Sequence, residues 1–331
     1  MAFLELTFEE VSPLCEYTRA VVEDEAWRIA EELAVEDPDL IPVRISSAAL
    51  VADRCTPAGD QRPGCVLDGP VVEATLGAVP HEIVHALRAQ HLGPKTTPFF
   101  EEGLAAAVGS GPLGRFAVSI DAAPRDPAQI LDLVHAPRTD LTYWSYVLAG
   151  HYVAWLRDTY GAAPVLEFFA AASNAPASER FAAAVGDSIE SVTDRWATDA
   201  PASIVLDARC DHAIPLQWDG DAATLELDLA CDAEGNGPWE SDGHESVSRS
   251  FCLAFETSGT FEVELQADSD STTLTMSSVE CYGPASLEAH AGKSVRPSAA
   301  AQAIEFAPCL WQGAISDELD NAGHVRLSFR R

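Results

Sequence analysis

Lysine is almost missing from this chain, and positive charge of any kind is scarce. Lys95 and Lys293 are the lysines among 20 basic residues, which face 52 acidic ones, and the formal net charge is −32. Nucleic acids and anionic membrane surfaces would repel so acidic a chain rather than bind it through charge. We therefore exclude nucleic acid as a partner and expect the acidic surface to serve solubility.

A long hydrophobic run is also missing. No stretch approaches the roughly twenty apolar residues that a membrane-spanning helix needs. The first ten residues contain neither the basic segment nor the apolar core of a signal peptide. We expect a protein without a membrane span and, if it is exported, a mature form with an added methionine.

Cysteine pairs with the spacing of a metal site are absent as well. The eight cysteines include no CxxC pair, which argues against a cysteine zinc site. Cys55 and Cys65 bracket a loop rich in turn-forming residues that a disulfide would close. An even count without metal spacing favours an oxidising compartment, so we predict an extracellular or periplasmic protein.

The hydropathy pattern changes near residues 200–208. The part before it has strand-like patterns at 3–8, 42–51 and 65–76, and helical periodicity at 17–33, 79–92, 99–108, 141–160, 164–172, 177–185 and 188–198. The part after it alternates at 224–229, 259–267, 272–279 and 324–329, as β-sandwich strands do. We predict two domains: residues 1–203, a small N-terminal sheet with a mostly helical remainder, and residues 204–331, an all-β sandwich.

The helix predicted at 79–92 carries a short histidine motif. Residues 81–85 read His-Glu-Ile-Val-His, the HExxH pattern of zinc metallopeptidases. Residues four apart share one face of a helix, so His81 and His85 can direct imidazole nitrogens at a single metal ion. Glu82 lies beside them, where it can reach a water molecule on the metal but is poorly placed to be a ligand. The motif predicts two ligands and a general base.

The third metal ligand has two candidates. His91 follows His85 by six residues, which is the spacing of the metzincin pattern HExxHxxGxxH. Arg88, however, stands where that pattern needs a glycine to turn the chain out of the helix. If the helix continues, His91 points away from the face of His81 and His85. The other candidate, Glu102, lies on the next predicted helix.

The segment His81–Ala105 resembles the gluzincin metallopeptidases, the thermolysin- and aminopeptidase-like clan with its bacterial peptidase MA-like family. In these enzymes a second helix reads roughly x-x-E-G-hydrophobic-A, and here Phe100–Ala105 matches it. The resemblance implies Glu102 as the third ligand, one Zn²⁺ per chain, and a zincin-like α+β fold for residues 1–203. It leaves Glu101, which would face elsewhere on the helix, to solvent or to a contact behind the metal.

The helix predicted at 141–160 extends the resemblance. Its later part looks like the helix of bacterial gluzincin-like domains that commonly reads Y-x-x-x-G-S-F-x-x-x-L and closes with Y-G. The resemblance implies that the Tyr146 phenol hydrogen-bonds the oxyanion. His151 stands where the pattern usually has serine, and it is a further candidate for contact with substrate or oxyanion. A purely structural place in the helix is the alternative for both residues.

The resemblance covers about residues 1–200 and implies a secreted zinc metallopeptidase acting on a protein or peptide substrate. A zinc-activated water would attack the peptide bond, with Glu82 as general base. The alternative is a non-catalytic, peptidase-like binding protein whose site is zinc-bound or degenerate. In either case the β-sandwich could attach the protein to a surface or matrix. Its candidate contact residues are Trp218, Trp239 and Trp311, for which core packing is the alternative.

Overall fold

A computed structural model describes residues 3–9, 16–55, 63–109, 117–120, 126–137, 141–171, 175–201, 203–205, 214–229, 237–241, 244–256, 258–278, 293–297, 301–306, 310–318 and 323–331. Contacts between Cα atoms divide the chain into two compact units. Unit 1 consists of Met1–Glu10 and Val22–Leu206, and unit 2 consists of Val11–Val21 and Asp207–Arg331.

The chain up to Leu206 mixes strands and helices, as an α+β fold does. Its described strands are β1 (Leu4–Glu9), β2 (Ile41–Ser46), β3 (Gly64–Leu67), β4 (Val71–Ala74), β5 (Ala117–Ser119) and β6 (Ser203–Val205). Its described helices are α1 (Glu16–Glu32), α2 (Ala48–Cys55), α3 (Val79–His91), α4 (Pro98–Val108), α5 (Pro127–His135), α6 (Tyr143–Tyr160), α7 (Ala162–Ala170), α8 (Ala177–Val185) and α9 (Ile189–Asp199).

Four of these strands form a small sheet in the order β1-β2-β4-β3. β2 is parallel to both β1 and β4, whereas β3 pairs antiparallel with β4 and forms one edge. Alternate residues of β2 are fully buried: Ile41, Val43 and Ile45. This period-two pattern is the one that identified the strand in the sequence.

Two of the predicted strands differ from the structure. The strand predicted at 42–51 ends at Ser46, because Ser47 begins helix α2: its hydroxyl accepts from the Leu50 amide at 3.4 Å. The extended segment predicted at 65–76 is two antiparallel strands, β3 and β4, separated by a turn in which Gly69 has φ +85°. Both predictions are wrong because each apolar stretch contains a short signal that interrupts the strand: a capping residue in the first case and a turn in the second.

A disulfide joins the end of α2 to edge strand β3. Cys55 and Cys65 have a Cα–Cα distance of 5.6 Å. The bond closes the turn-rich loop that the sequence suggests, so this pairing is confirmed. None of the helices in the described segments has the length and apolar character needed to cross a bilayer.

Unit 2 contains two sheets with a common apolar core, which is the arrangement of a β-sandwich. Its described strands are β7 (Ile214–Leu216), β8 (Ala222–Asp228), β9 (Gly237–Ser241), β10 (His244–Ala254), β11 (Gly259–Ala267), β12 (Thr273–Ser278), β13 (Lys293–Val295), β14 (Gln302–Phe306), β15 (Leu310–Glu318) and β16 (His324–Arg330). One sheet has the order β13-β12-β15-β10-β7, with β9 also paired to β10, and the other has the order β14-β11-β16-β8. Both contribute to one buried cluster.

The tryptophan side chains of unit 2 that the structure describes are buried or partly buried. Trp311 is completely buried in the core, 5.0 Å from the Phe306 ring centroid. Trp218 is partly buried, and its indole N–H donates to the Ala254 carbonyl at 2.7 Å. The side chain of Trp239 lies outside the described residues.

Candidate metal centre

The HExxH motif lies on a continuous helix. α3 begins with Pro80 in its first turn, where the missing amide proton costs nothing, and it continues through Arg88 to His91. Val79, Ile83 and Leu87 bury its apolar face. Because the helix is unbroken, His81 and His85 lie one turn apart on the same face, as the spacing predicts.

Helix α4 supplies the third member of the cluster. Thr97 precedes Pro98, which starts the helix, and most of α4 is buried, including Glu102. His81, His85 and Glu102 form a group whose ligand atoms all lie within 4.8 Å of one another. Both imidazoles keep some exposure, at 25% and 15% of their side-chain surface, whereas the Glu102 side chain is 2% exposed.

The three ligand atoms form a nearly equilateral triangle. His81 Nε2 lies 3.1 Å from Glu102 Oε2, His85 Nε2 lies 3.2 Å from the same oxygen, and the two Nε2 atoms are 3.2 Å apart. Tetrahedral zinc with ligands at about 2.0–2.1 Å holds its donor atoms about 3.3–3.4 Å apart. The triangle is therefore close to one face of a zinc tetrahedron, and its fourth corner is available to water.

Hydrogen bonding alone does not account for this triangle. Each imidazole Nε2 carries either one proton or one lone pair, so it can form one well-aligned hydrogen bond in the ring plane. If both Nε2–H groups donate to Glu102, the 3.2 Å contact between the two nitrogens is not bonded; if the two histidines bond each other, neither contact with Glu102 is bonded. A cation at the centre satisfies all three contacts at once, using one lone pair from each ligand. The donor set thus fits a divalent metal such as zinc.

The charge state of Glu102 suits a ligand. Burial acts to raise the pKa of its carboxyl, but hydrogen bonds and charge interactions with His81 and His85 outweigh burial and hold the pKa well below its ordinary value. The carboxyl is therefore ionised at neutral pH. An anionic oxygen beside two imidazoles is a typical ligand set of catalytic zinc sites.

Glu82, the predicted general base, is also buried. It is 7% exposed and lies against strand β3. A Cβ atom placed on Gly64 would be 2.7 Å from Glu82 Cγ and 3.0 Å from its Oε1. Gly64 therefore leaves the space that the Glu82 side chain occupies.

The second ligand candidate, His91, lies at the other end of α3. Its Nε2 atom accepts from the Asp39 amide at 3.4 Å. Since the helix continues through Arg88, the chain does not make the turn that would bring His91 back to the metal face. The geometry groups Glu102, rather than His91, with the two histidines.

Tyr146 and His151 lie on different sides of α6. The α4-facing side is marked by Gly103, where an added Cβ would lie 2.6 Å from the Ala149 carbonyl oxygen and 2.7 Å from Val153 Cγ2. Tyr146 lies one turn before Ala149 on that side and is partly buried. His151 follows Ala149 by two residues, about 200° around the helix, and so faces away from α4.

The His151 ring is buried in unit 1, and both of its nitrogens are hydrogen-bonded. It is 0% exposed; the Trp196 indole N–H donates to its Nδ1 at 3.0 Å, and its Nε2 lies 2.9 Å from the Pro201 carbonyl oxygen. Because Nδ1 accepts, the proton is on Nε2, which donates to Pro201. These bonds favour the structural alternative for His151, in which the ring ties α6 to α9 and the residues after it, over contact with substrate or oxyanion.

Three further residues shape this site without being predicted. Gly103 permits the close approach of α4 and α6 next to Glu102. Gly109, after the last turn of α4, would place an added Cβ 2.8 Å from the backbone nitrogen of His81. Arg88 is 3% exposed and pairs with Glu101. The sequence contains two signals for these residues: a charged residue within an apolar helix, and glycines close to the predicted metal ligands.

Comparison with known proteins gives only remote similarities. No family model matches the chain, and no curated protein is detectably similar to it. Among solved structures, PliG of Aeromonas hydrophila, a periplasmic inhibitor of g-type lysozyme, aligns at 10% identity and a TM-score of 0.21 over 36% of this chain and 94% of its own. A mutant family 29 carbohydrate binding module aligns at 11% identity and a TM-score of 0.14 over 33% of this chain and 88% of its own. TM-scores this low carry no inference about function.

Proposed function

We propose that this protein is a zinc metallopeptidase of the gluzincin type that hydrolyses peptide bonds in a protein or peptide substrate. The convergence of His81, His85 and Glu102 carries the proposal, because their three short contacts cannot all be hydrogen bonds at once. A zincin-like arrangement of unit 1 belongs to the same proposal. The small sheet, with α3 and α4 after it, supports that arrangement.

The residues around the triangle can divide the chemistry among them. When bound, zinc supplies a Lewis acid that lowers the pKa of water from 15.7 towards about 7. Glu82 would accept the proton of the attacking water and deliver it to the departing amine. Tyr146, on the α4-facing side of α6, would donate its hydroxyl to the developing oxyanion. Ionised Glu102 with two neutral imidazoles leaves the loaded site positive, which also favours an oxyanion.

The decisive test separates zinc binding from hydrolysis. Glu82→Gln preserves the volume of a buried side chain and removes the base, so we expect stoichiometric zinc by elemental analysis and a loss of at least about a hundredfold in cleavage of a peptide library. The matched control is Glu167→Gln, the same change at an exposed glutamate of α7, which leaves Glu82 and the triangle intact. Full hydrolysis by the Glu82→Gln protein would refute the assignment.

The wild-type protein distinguishes the enzyme from a binding protein. Stoichiometric zinc together with cleavage supports the peptidase. Stoichiometric zinc without cleavage of any library peptide supports a non-catalytic, peptidase-like protein, with unit 2 as an attachment module. We also propose an extracellular or periplasmic location, for which the Cys55–Cys65 disulfide is the structural support.

A further inference from the structure

A buried ion pair lies beside the metal triangle, at the same contact between α3 and α4. Arg88 Nε is 2.6 Å from Glu101 Oε2, and Arg88 Nη2 donates to Glu101 Oε1 at 3.0 Å. The two side chains are 3% and 11% exposed. The Nη2 hydrogen bond and the close Nε contact hold the two groups against each other, although the Nε–H itself is not aligned for a hydrogen bond.

The pair and the triangle occupy neighbouring positions on both helices. Arg88 lies three residues after His85 and seven after His81, so all three share one face of α3. Glu101 directly precedes Glu102 on α4. The two helices therefore meet through two adjacent polar contacts, and a rotation of α4 that moved one glutamate would move the other.

The same two residues hold the connector between the helices, residues 92–97. Arg88 donates to the carbonyl of Gly93 and, at 2.9 Å, to that of Pro94. Glu101 Oε1 accepts from the backbone amide and the hydroxyl of Thr96, each at 2.6 Å. The carboxylate and the guanidinium are thereby bonded to both helices and to the segment that joins them.

Stability alone is a weak reason for such a pair. Desolvating two charges offsets most of their attraction, and apolar residues of similar volume often stabilise a protein equally well. Buried polar groups can instead select one geometry among several compact ones, and residues behind metal ligands set ligand orientation. An ion pair one residue from a ligand has the placement needed for that effect.

We propose that Arg88 and Glu101 are positioning residues that hold Glu102 opposite His81 and His85 and so set the affinity of the metal site. The proposal rests on the metal site of the proposed function but not on its peptidase activity. Loss of Arg88 would leave the Glu101 carboxylate buried without its guanidinium partner. That carboxylate would turn towards water, and the adjacent Glu102 would move with it.

The test measures metal affinity in the full chain. We expect Arg88→Met and Glu101→Gln to weaken zinc binding by about 10–100-fold, measured by competition with a chromophoric chelator. With Co²⁺ in place of zinc, the visible absorption bands should shift, because they report ligand geometry. A role in folding alone would lower the Tm of the metal-free protein without changing either readout.

Arg180→Met is the matched control. Arg180, on α8, is another buried arginine that bonds to this connector; it donates to Pro94 O at 3.1 Å and to Lys95 O at 3.2 Å, but its described bonds do not include Glu101. We expect this variant to lose stability and keep its zinc affinity and Co²⁺ spectrum. If it weakens zinc as much as Arg88→Met does, the connector as a whole is responsible and the proposal fails.

A double variant keeps the test decisive if a single variant does not fold. Arg88→Met with Glu101→Leu removes both charges, so no unpaired charge is buried. A folded double variant with wild-type zinc affinity and an unchanged Co²⁺ spectrum would overturn the proposal. Wild-type protein that binds no zinc would overturn both the proposal and the function, whereas zinc-binding wild type without cleavage would overturn the function alone.

Discussion

The two units of the protein bury different kinds of side chain. Among its described residues, unit 1 buries nine acidic, basic or histidine side chains, which are Glu25, Arg28, Glu73, Glu82, Arg88, Glu101, Glu102, His151 and Arg180. In unit 2, the buried side chains that the structure describes are apolar or aromatic, apart from three uncharged ones, Thr18, Thr272 and Ser328. Unit 2 can be explained by hydrophobic burial in a two-sheet core. Unit 1 cannot.

The buried charges of unit 1 are concentrated near the candidate metal centre. A buried charge must be paired or hydrogen-bonded, and replacing the pair with apolar residues often costs nothing. Four of these nine described side chains lie on α3 and α4, the helices that carry His81, His85 and Glu102. Concentrated charge burial is typical of functional sites, where geometry matters more than the free energy of unfolding.

The largest expected effect is the loss of a ligand in unit 1. Glu102→Ala removes the one anionic donor of the triangle, so zinc affinity should fall by more than about a hundredfold, beyond the range for residues behind the ligands. Chelator competition and elemental analysis after dialysis measure it. His91→Ala is the control and should bind zinc as the wild type does. The reverse result would favour the metzincin arrangement.

The next effect concerns the apolar core of unit 2. Phe306 is 1% exposed and stacks on Phe255 with ring centroids 4.4 Å apart. Phe306→Ala should lower the free energy of unfolding by about 3–5 kcal/mol, because it removes a buried ring and leaves a cavity. Urea unfolding measures the change, and zinc affinity should stay at the wild-type value. A parallel loss of zinc would show that the two units do not behave independently.

Features with a strong local signature could be predicted from the sequence. The HExxH spacing predicts two residues on one helix face, and the resemblance of Phe100–Ala105 to the gluzincin pattern implies Glu102 as their partner. The turn-rich segment between Cys55 and Cys65 identifies the disulfide. Helical periodicity also gives α4, α6 and α8 to within two residues at each end, because each has clear flanking proline, threonine or glycine signals.

Features that depend on tertiary contacts could not be predicted in this way. His151 looks like a site residue because it stands at the serine position of the pattern that includes Tyr146, but the contact of Gly103 with Ala149 puts the two on different sides of α6. The Arg88–Glu101 pair joins residues thirteen positions apart, and only the packing of α3 on α4 shows that both are buried. Periodicity identifies a buried face, but not which polar residue of a neighbouring helix meets it.

Glycine-to-alanine substitutions test the same contrast between the units, with a smaller expected effect. At Gly103 an added Cβ would meet a backbone oxygen at 2.6 Å, and α4 would have to move away from α6. We expect Gly103→Ala to cost about 3 kcal/mol and to weaken zinc binding, because Glu102 moves with the helix. Gly259→Ala in unit 2 is the control, since its nearest contact is 3.7 Å away. Equal stability of the two variants in urea would contradict this packing.

The smallest effect is expected from a pair of histidines, one buried in unit 1 and one exposed in unit 2. His151→Phe would leave the buried Trp196 indole N–H without its acceptor, so unfolding should become easier by about 2 kcal/mol. His324→Ala removes an exposed contact, His324 Nδ1 to Asp228 Oδ1 at 3.0 Å, and should change stability by at most about 0.5 kcal/mol.

Peptide cleavage by the His151→Phe protein then decides the role of that residue. An oxyanion contact contributes about 10²–10³ in rate. A His151 that only ties α6 to α9 contributes to folding, so below the unfolding temperature the variant should retain nearly all of its cleavage rate. A folded variant that loses a hundredfold in rate would show that His151 reaches the substrate in a conformation other than this one. The difference between the units would then involve the movement of buried polar groups as well as their positions.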